Sequence, residues 1–317
     1  MPVYILFWEG QCMNETGLEY RGLDDACFEM IEKDSALKKL LERVRQDPDC
    51  RIEVRHNYLN CYYRCGSMFK LTFNTGRRTL TFTFDPKYLE LKEQRNVPPG
   101  LDTWLKAKYK CPDKWADKLG DLKLVMEAWF EENNKQEKTM QQKLAEQNSF
   151  AKGNSLHVID IELAIPQHQE LGRMDMIAVR REETGEGTKY IPVIVELKNG
   201  TKAFKGKSGI LEHYEKTIDF LKNHNGDDFL RETIRRIWCS KRKLKLMDEP
   251  VPERLEDAEL MFAVTDWNGT PEDIRERYLA KIDELERPVW AAIFPKREYD
   301  YDLGKSGVLL PQHKKGN

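Results

Sequence analysis

A chain of 317 residues, 33% charged and 40% hydrophobic, is long enough for two domains and apolar enough to build cores for them. No apolar run approaches the length of a bilayer-crossing helix, and the opening MPVYILFWEG has neither a basic lead nor a small-residue cleavage site, so neither a membrane span nor a secretory leader is expected. The formal net charge of −2 supports no argument from bulk charge to nucleic acid, which leaves local patches to carry any such case.

In chain order, Val3–Trp8 predicts a strand. Asp24–Arg45 predicts a helix, with Ala26, Met30, Leu37, Leu41 and Val44 near one face. A hairpin follows: Phe69, Leu71 and Phe73 alternate before Asn74-Thr75-Gly76-Arg77, and Leu80, Phe82 and Phe84 alternate after it. Asn96-Val97-Pro98-Pro99-Gly100 predicts a loop or linker. A long helix is expected over 117–148, with Leu122, Met126, Trp129, Asn133, Glu137, Met140 and Leu144 on one stripe. Beyond Gly153, strands are expected at 157–165 (Ile159, Ile161, Leu163 and Ile165 facing one way, Asp160 and Glu162 the other), at 173–180 and at 190–198. EETGEG forms the turn between the last two. The run YIPVIVELK is apolar almost throughout, which suits a central strand covered on both faces. A helix over 209–221, a strand over 260–264, a helix over 271–285 starting at Thr270-Pro271, and a strand over 289–294 complete the order. The expected division is an N-terminal α+β domain over 1–115 and an α/β domain over 116–317.

The seven cysteines, Cys12, Cys27, Cys50, Cys61, Cys65, Cys111 and Cys239, are scattered and odd in number. They do not form a disulfide framework or a zinc-site pattern, and they point to a reducing, cytoplasmic setting.

Glu196 and Lys198 stand two apart on a strand, so both side chains point to one face. They follow the apolar Val193-Ile194-Val195. A carboxylate and an ammonium there require an open sheet end or a partner. Asp175, on the preceding strand, comes beside Glu196 if the two strands pair across the EETGEG turn. Two adjacent carboxylates repel, and magnesium, which prefers carboxylate oxygens plus water, resolves that repulsion. Lys198 then lies where it could orient or deprotonate a water for attack on a phosphodiester. The plainer reading is an ordinary edge ion pair between Glu196 and Lys198.

Asp175 followed at hairpin distance by Glu196-Leu197-Lys198, within GRMDMI and VIVELK, resembles the signature of the PD-(D/E)xK nuclease superfamily. The resemblance covers roughly Leu119 to Phe294. It implies a restriction-endonuclease-like mixed β-sheet core flanked by helices. It also implies that Asp175, Glu196 and the backbone carbonyl of Leu197 bind Mg2+ (or Mn2+), with Lys198 assisting a water. A further acid is expected. Glu162, inside a strand that otherwise reads as core, is either that ligand or a hydrogen-bonded edge acid. Glu137, on the long helix, is either that ligand or a solvated break in the stripe. Glu162 is the favoured one. Some members carry a Gln and a Tyr four apart on the helix after the lysine strand; Ile210 and Tyr214 occupy that spacing here, so the Gln is missing. His213 is a candidate substrate contact beside Tyr214.

Lys202, Lys205 and Lys207 follow the motif strand in a glycine-rich stretch without acids, which suits a phosphate backbone or is simply a solvated loop. A second basic run, 235–245, surrounds Trp238, which either stacks on a base or packs its helix to the core. Arg51, Arg55, His56, Arg64, Lys70, Arg77 and Arg78 interleave with Tyr58, Tyr62 and Tyr63 in the N-terminal domain. That pattern is either a nucleic-acid or partner contact or a sheet with a charged outer face.

The expected function is a Mg-dependent nuclease cutting DNA, with RNA left open, in bacterial or phage defence, restriction or repair. A protein partner or a homo-oligomer would form through the N-terminal domain. The alternative is a catalytically silent module on the same fold that binds nucleic acid or assembles with a partner.

Overall fold

The computed structural model describes residues 21–64, 66–91, 97–106, 112–133, 135–165, 168, 171–206, 209–296 and 300–313. The predicted strand Val3–Trp8, Lys207 and the cysteines at 12, 65 and 111 lie outside them. Two sheets organise the chain, with helices around each.

The helix expected over 24–45 is two helices, α1 (Asp25–Lys33) and α2 (Ser35–Gln46). Asp34 divides them. Its backbone is extended, and its carboxylate accepts the N–H groups of Ala36 and Leu37, so it starts a new helix where one was expected to continue. Strands β1 (Cys50–Arg55), β2 (Tyr58–Tyr63), β3 (Gly66–Asn74) and β4 (Thr79–Thr83) form an antiparallel meander. In the predicted hairpin Leu71 pairs with Phe82 and Phe73 with Leu80. Helices α3 (Leu101–Lys106) and α4 (Pro112–Glu132) follow. Val54, Leu59, Cys61 and Leu71 of the sheet form one core with Leu37 and Leu40 of α2 and Leu119, Leu122 and Met126 of α4. The expected division at 115/116 therefore falls inside α4, whose apolar stripe belongs to this first core.

The helix expected over 117–148 also divides. α4 ends at Glu132, and α5 spans Gln136–Gln147. At the break the Asn133 side-chain amide donates to the Trp129 carbonyl, a local bond that competes with helix continuation.

The second sheet holds β5 (Leu156–Ala164), β6 (Arg173–Thr184), β7 (Gly187–Asn199), β8 (Glu259–Thr265), β9 (Val289–Phe294) and β10 (Gly307–Leu309), in the order β10-β9-β8-β7-β6-β5. β5, β6 and β7 run antiparallel, β8 and β9 continue parallel, and β10 closes the edge antiparallel. Leu144 and Ala145 of α5 pack on Val158, Ile161, Val193, Val195 and Leu197. On the other face α6 (Ile210–Asn223) and α7 (Gly226–Lys243) cover Ile159, Ile177, Ile194 and Phe262. Cover on both faces explains the unbroken apolar run of β7.

Helix α7 was not separated by periodicity, and the 235–245 basic run lies on and just past its C-terminal half. Trp238 is fully buried there and donates its Nε1–H to the Glu249 carbonyl, so it packs the helix to the core and is not free to stack on a base. Two further expectations are corrected. A bulge between Val158 and Asp160 and the left-handed backbone of Glu162 break the simple alternation of β5, so Ile159 and Leu163 face the α6–α7 side while Ile161 faces α5. The helix expected over 271–285 starts at its Thr270–Asp273 capping box but gives way to a π turn at Ile274–Tyr278. The buried Arg275 guanidinium donates to the carbonyls of Leu279, Asp283 and Pro311, which replaces the helical bonds that stretch would have made.

The two sheets meet edge to edge at a seam of buried charge. Cationic side chains satisfy carbonyls along the edge strand β5. Arg51 donates to Val158, Lys241 to Ile159, Arg55 to Ile161, and Arg21 to Ile161 and Glu162. The same cations meet two fully buried acids: Glu53 pairs with Arg51 and Lys241, and Asp160 with Arg21 and Arg55. An edge strand occupied in this way is closed to pairing with another chain.

Candidate active site

The site forms where β6 and β7 part. Their ladder ends at Met176–Val195, yet β6 stays paired with β5 as far as Arg173–Ala164. In the resulting fork the Asp175 carboxylate takes over from the missing backbone partner and accepts the Leu197 N–H at 2.9 Å. Val193, Val195 and Leu197 belong to the α5 face, so alternation turns Glu196 and Lys198 toward α6. Both are buried. Lys198 Nζ donates to Glu196 Oε1 at 2.8 Å, and His213 Nδ1 from α6 lies 3.1 Å from the same oxygen. Asp175, Glu196, Lys198 and His213 are thus gathered at one sheet end.

Burial, followed by the charge of Asp175, pushes Glu196 up to about 8, against the pull of Lys198. Burial also pushes Asp175 up to about 6, although the Leu197 N–H and Lys198 oppose it. Glu137 raises both. It sits exposed in the first turn of α5, close enough for its charge to act on the two fork acids. Burial and the Lys198 charge lower His213 to about 4, so its imidazole is neutral at physiological pH.

Glu162 is engaged elsewhere. Its carboxylate takes the Tyr62 hydroxyl at 2.8 Å and the Lys138 ammonium, with Arg173 at 3.5 Å. Burial opposes its ionisation, but these partners outweigh burial and hold its pKa below the usual carboxylate range. Its φ of 54° lies in the left-handed region. Tyr214 is buried away from the fork, its hydroxyl accepting the Glu286 N–H, so it ties α6 to the loop before β9. Lys202 and Lys205 are exposed just beyond β7. Leu197 meets Asp175 through its N–H.

Gln141 went unread in the sequence. Its amide donates to the Asp175 carbonyl at 2.8 Å and fixes α5 to the fork. Its signal was available, since Gln141 follows Glu137 by four residues and so shares its helical face.

Among the described residues no group of three or more His, Cys, Asp or Glu side chains is placed to hold a metal ion. The donor set still fits a hard cation, because magnesium is held by one or two carboxylates and keeps several waters. Two converging carboxylates that resist ionising together, with a third acid nearby, have that chemistry. Comparison with family models, curated proteins and solved structures returns no match to this chain.

Proposed function

We propose that the chain is a metal-dependent nuclease of the PD-(D/E)xK kind, with a restriction-endonuclease-like core, hydrolysing phosphodiester bonds in DNA. The observation that carries this is the fork: the buried Glu196 carboxylate beside the half-buried Asp175, with Lys198 and His213 on the same Glu196 oxygen. Asp175 and Glu196 would hold Mg2+, or Mn2+ in its place, and Glu137 is the third acid in preference to Glu162, which Lys138 and Tyr62 already satisfy. Such an ion, when bound, neutralises charge at the phosphate and acidifies a water. The Asp175 bond to Leu197 and the Gln141 bond to Asp175 fix the carboxylate, and Lys198 supplies a positive charge beside the scissile phosphate. His213 holds Glu196 from the α6 side. Defence, restriction and repair are the settings this reading suggests.

Incubation of the protein with linear, circular and single-stranded DNA in magnesium or manganese tests the proposal. Cleavage is expected, and Asp175→Asn and Lys198→Ala should each reduce it by about a hundredfold or more. Equal cutting by those variants would overturn it. A second reading, a silent module on the same fold, is favoured by one observation: Glu196 is already engaged by Lys198 and His213. No cleavage and no heat on adding magnesium, together with salt-sensitive DNA binding, would select it.

A further inference from the structure

The run 55–84 contains no aspartate or glutamate, and although Arg55 is taken up by Asp160 and Arg64 by Glu127, it leaves Lys70, Arg77 and Arg78 in a chain of net charge −2. The fold spreads much of this run over β2, β3 and β4. Leu59, Leu71 and Phe82 face the core, and the alternate positions face outward. Strand register aligns those outward positions in rows: Tyr58, Thr72 and Thr81 in one, Asn60, Lys70 and Thr83 in the next. Thr79, Thr81 and Thr83 are exposed, and Tyr58, Asn60, Lys70 and Thr72 are half-buried. Lys70 Nζ sits 3.8 Å from the Tyr58 ring centre. In the β3–β4 turn Arg77 and Arg78 are exposed, with no ion-pair partner among the described residues. The face is therefore hydroxyl- and amide-bearing and carries one aromatic ring and uncompensated positive charge.

This face leads to the fork. Asn60 donates to the Tyr62 hydroxyl at 3.0 Å, and Tyr62 donates to Glu162 at 2.8 Å. Glu162 and Asp175 both fall between the paired positions Ile161–Met176 and Leu163–Met174 of the β5–β6 ladder. On the far side of Glu162, Lys138 belongs to α5, next to Glu137.

We propose that the outer face of β2–β4 binds single-stranded nucleic acid and leads it toward the fork; the destination rests on the nuclease reading, whereas the binding does not. Cations track a phosphate backbone whatever its sequence, and hydroxyl, amide and aromatic groups between them suit unpaired bases, which offer both edges and ring faces. A duplex keeps its bases paired and stacked, so it would offer this surface phosphates and groove edges but no free ring face for Tyr58 to meet.

Fluorescence anisotropy of labelled oligothymidine, oligouridine and a DNA duplex, with the full chain in EDTA, tests binding apart from cleavage. At least one single strand should bind about tenfold tighter than the duplex, and the preferred strand identifies the sugar. The double variant Arg77→Glu, Arg78→Glu should weaken that binding about tenfold and flatten its logarithmic salt dependence by about 1 to 1.5. Thr81→Lys adds charge at an exposed position and should tighten binding severalfold, a change that misfolding does not mimic. Duplex bound as tightly as either single strand, or variants indistinguishable from the parent, would overturn the proposal even if the protein cuts DNA. Single-strand binding that follows these variants in a protein that never cuts would uphold the platform and remove the nuclease reading.

Discussion

The seam and the fork each gather two carboxylates away from water, fully at the seam and partly at the fork, with opposite consequences. At the seam Glu53 and Asp160 meet Arg21, Arg51, Arg55 and Lys241. Burial works against ionised Glu53, but Arg51, Lys241 and Arg55 outweigh it and hold that carboxyl down to about 2. At the fork Asp175 and Glu196 share one ammonium, and both rise. At the seam each buried acid has two cationic partners, and the arrangement serves attachment, since the same cations also satisfy the β5 edge. At the fork two carboxylates face one ammonium, so they resist ionising together, and under the proposed function a metal ion would relieve that. Perturbed carboxylates of the second kind are what a functional site needs.

The largest expected effect breaks the seam. Asp160→Ala leaves the buried Arg55 guanidinium without its acid partner and should lower stability by about 3–5 kcal/mol in urea titrations. A loss under ~1 kcal/mol would mean that the seam does not hold the two sheets together. The fork should respond in the other direction. Glu196 is raised from an ordinary 4.5 to about 8, so its contribution to stability is complete below about pH 4.5 and is lost as pH rises through about 8. Asp175 behaves likewise between about 3.8 and about 6. Asp175→Asn keeps an acceptor for the Leu197 N–H and removes the charge. The metal-free variant should match or exceed the parent in stability at pH 8, by on the order of 1 kcal/mol, with the gain gone below pH 4. Thermal melts across that range decide it, and a variant less stable at pH 8 than at pH 4 relative to the parent contradicts the pairing. The smallest effect lies between the two regions. Tyr62→Phe removes the hydroxyl that Glu162 accepts and should reduce stability by about 1 kcal/mol. A much larger loss would mean that the bond Arg55 donates to the same hydroxyl also carries weight in the seam.

The fork was largely legible in the sequence because its signals are local. An apolar strand ending in Glu-x-Lys, a tight turn and an aspartate at hairpin distance require only period-two alternation and register. What stayed hidden depends on distant partners. Glu162 reads as a second acid in a core strand, but its neutralisation by Lys138 and Tyr62 arises only when α5 and β2 arrive. Arg275 dissolves a predicted helix through carbonyls as far away as Pro311, which no window of periodicity includes. The division at Asp34 is a different case: Asp34-Ser35 is a local cap signal set inside an apolar stripe that reads as one continuous helix. The seam was visible only as scattered arginines, since Glu53 and Asp160 carry no sequence mark of burial.

The most direct measurement is calorimetric titration of magnesium into the metal-free protein at pH 7, in two buffers of different ionisation enthalpy. Glu196 holds a proton at that pH if burial and Asp175 raise it to about 8, and metal binding has to displace it. Binding with release of about one proton, abolished in Asp175→Asn, is the predicted result. Binding of equal strength in Asp175→Asn, or no binding by the parent protein, would contradict the assignment of the fork as a metal site.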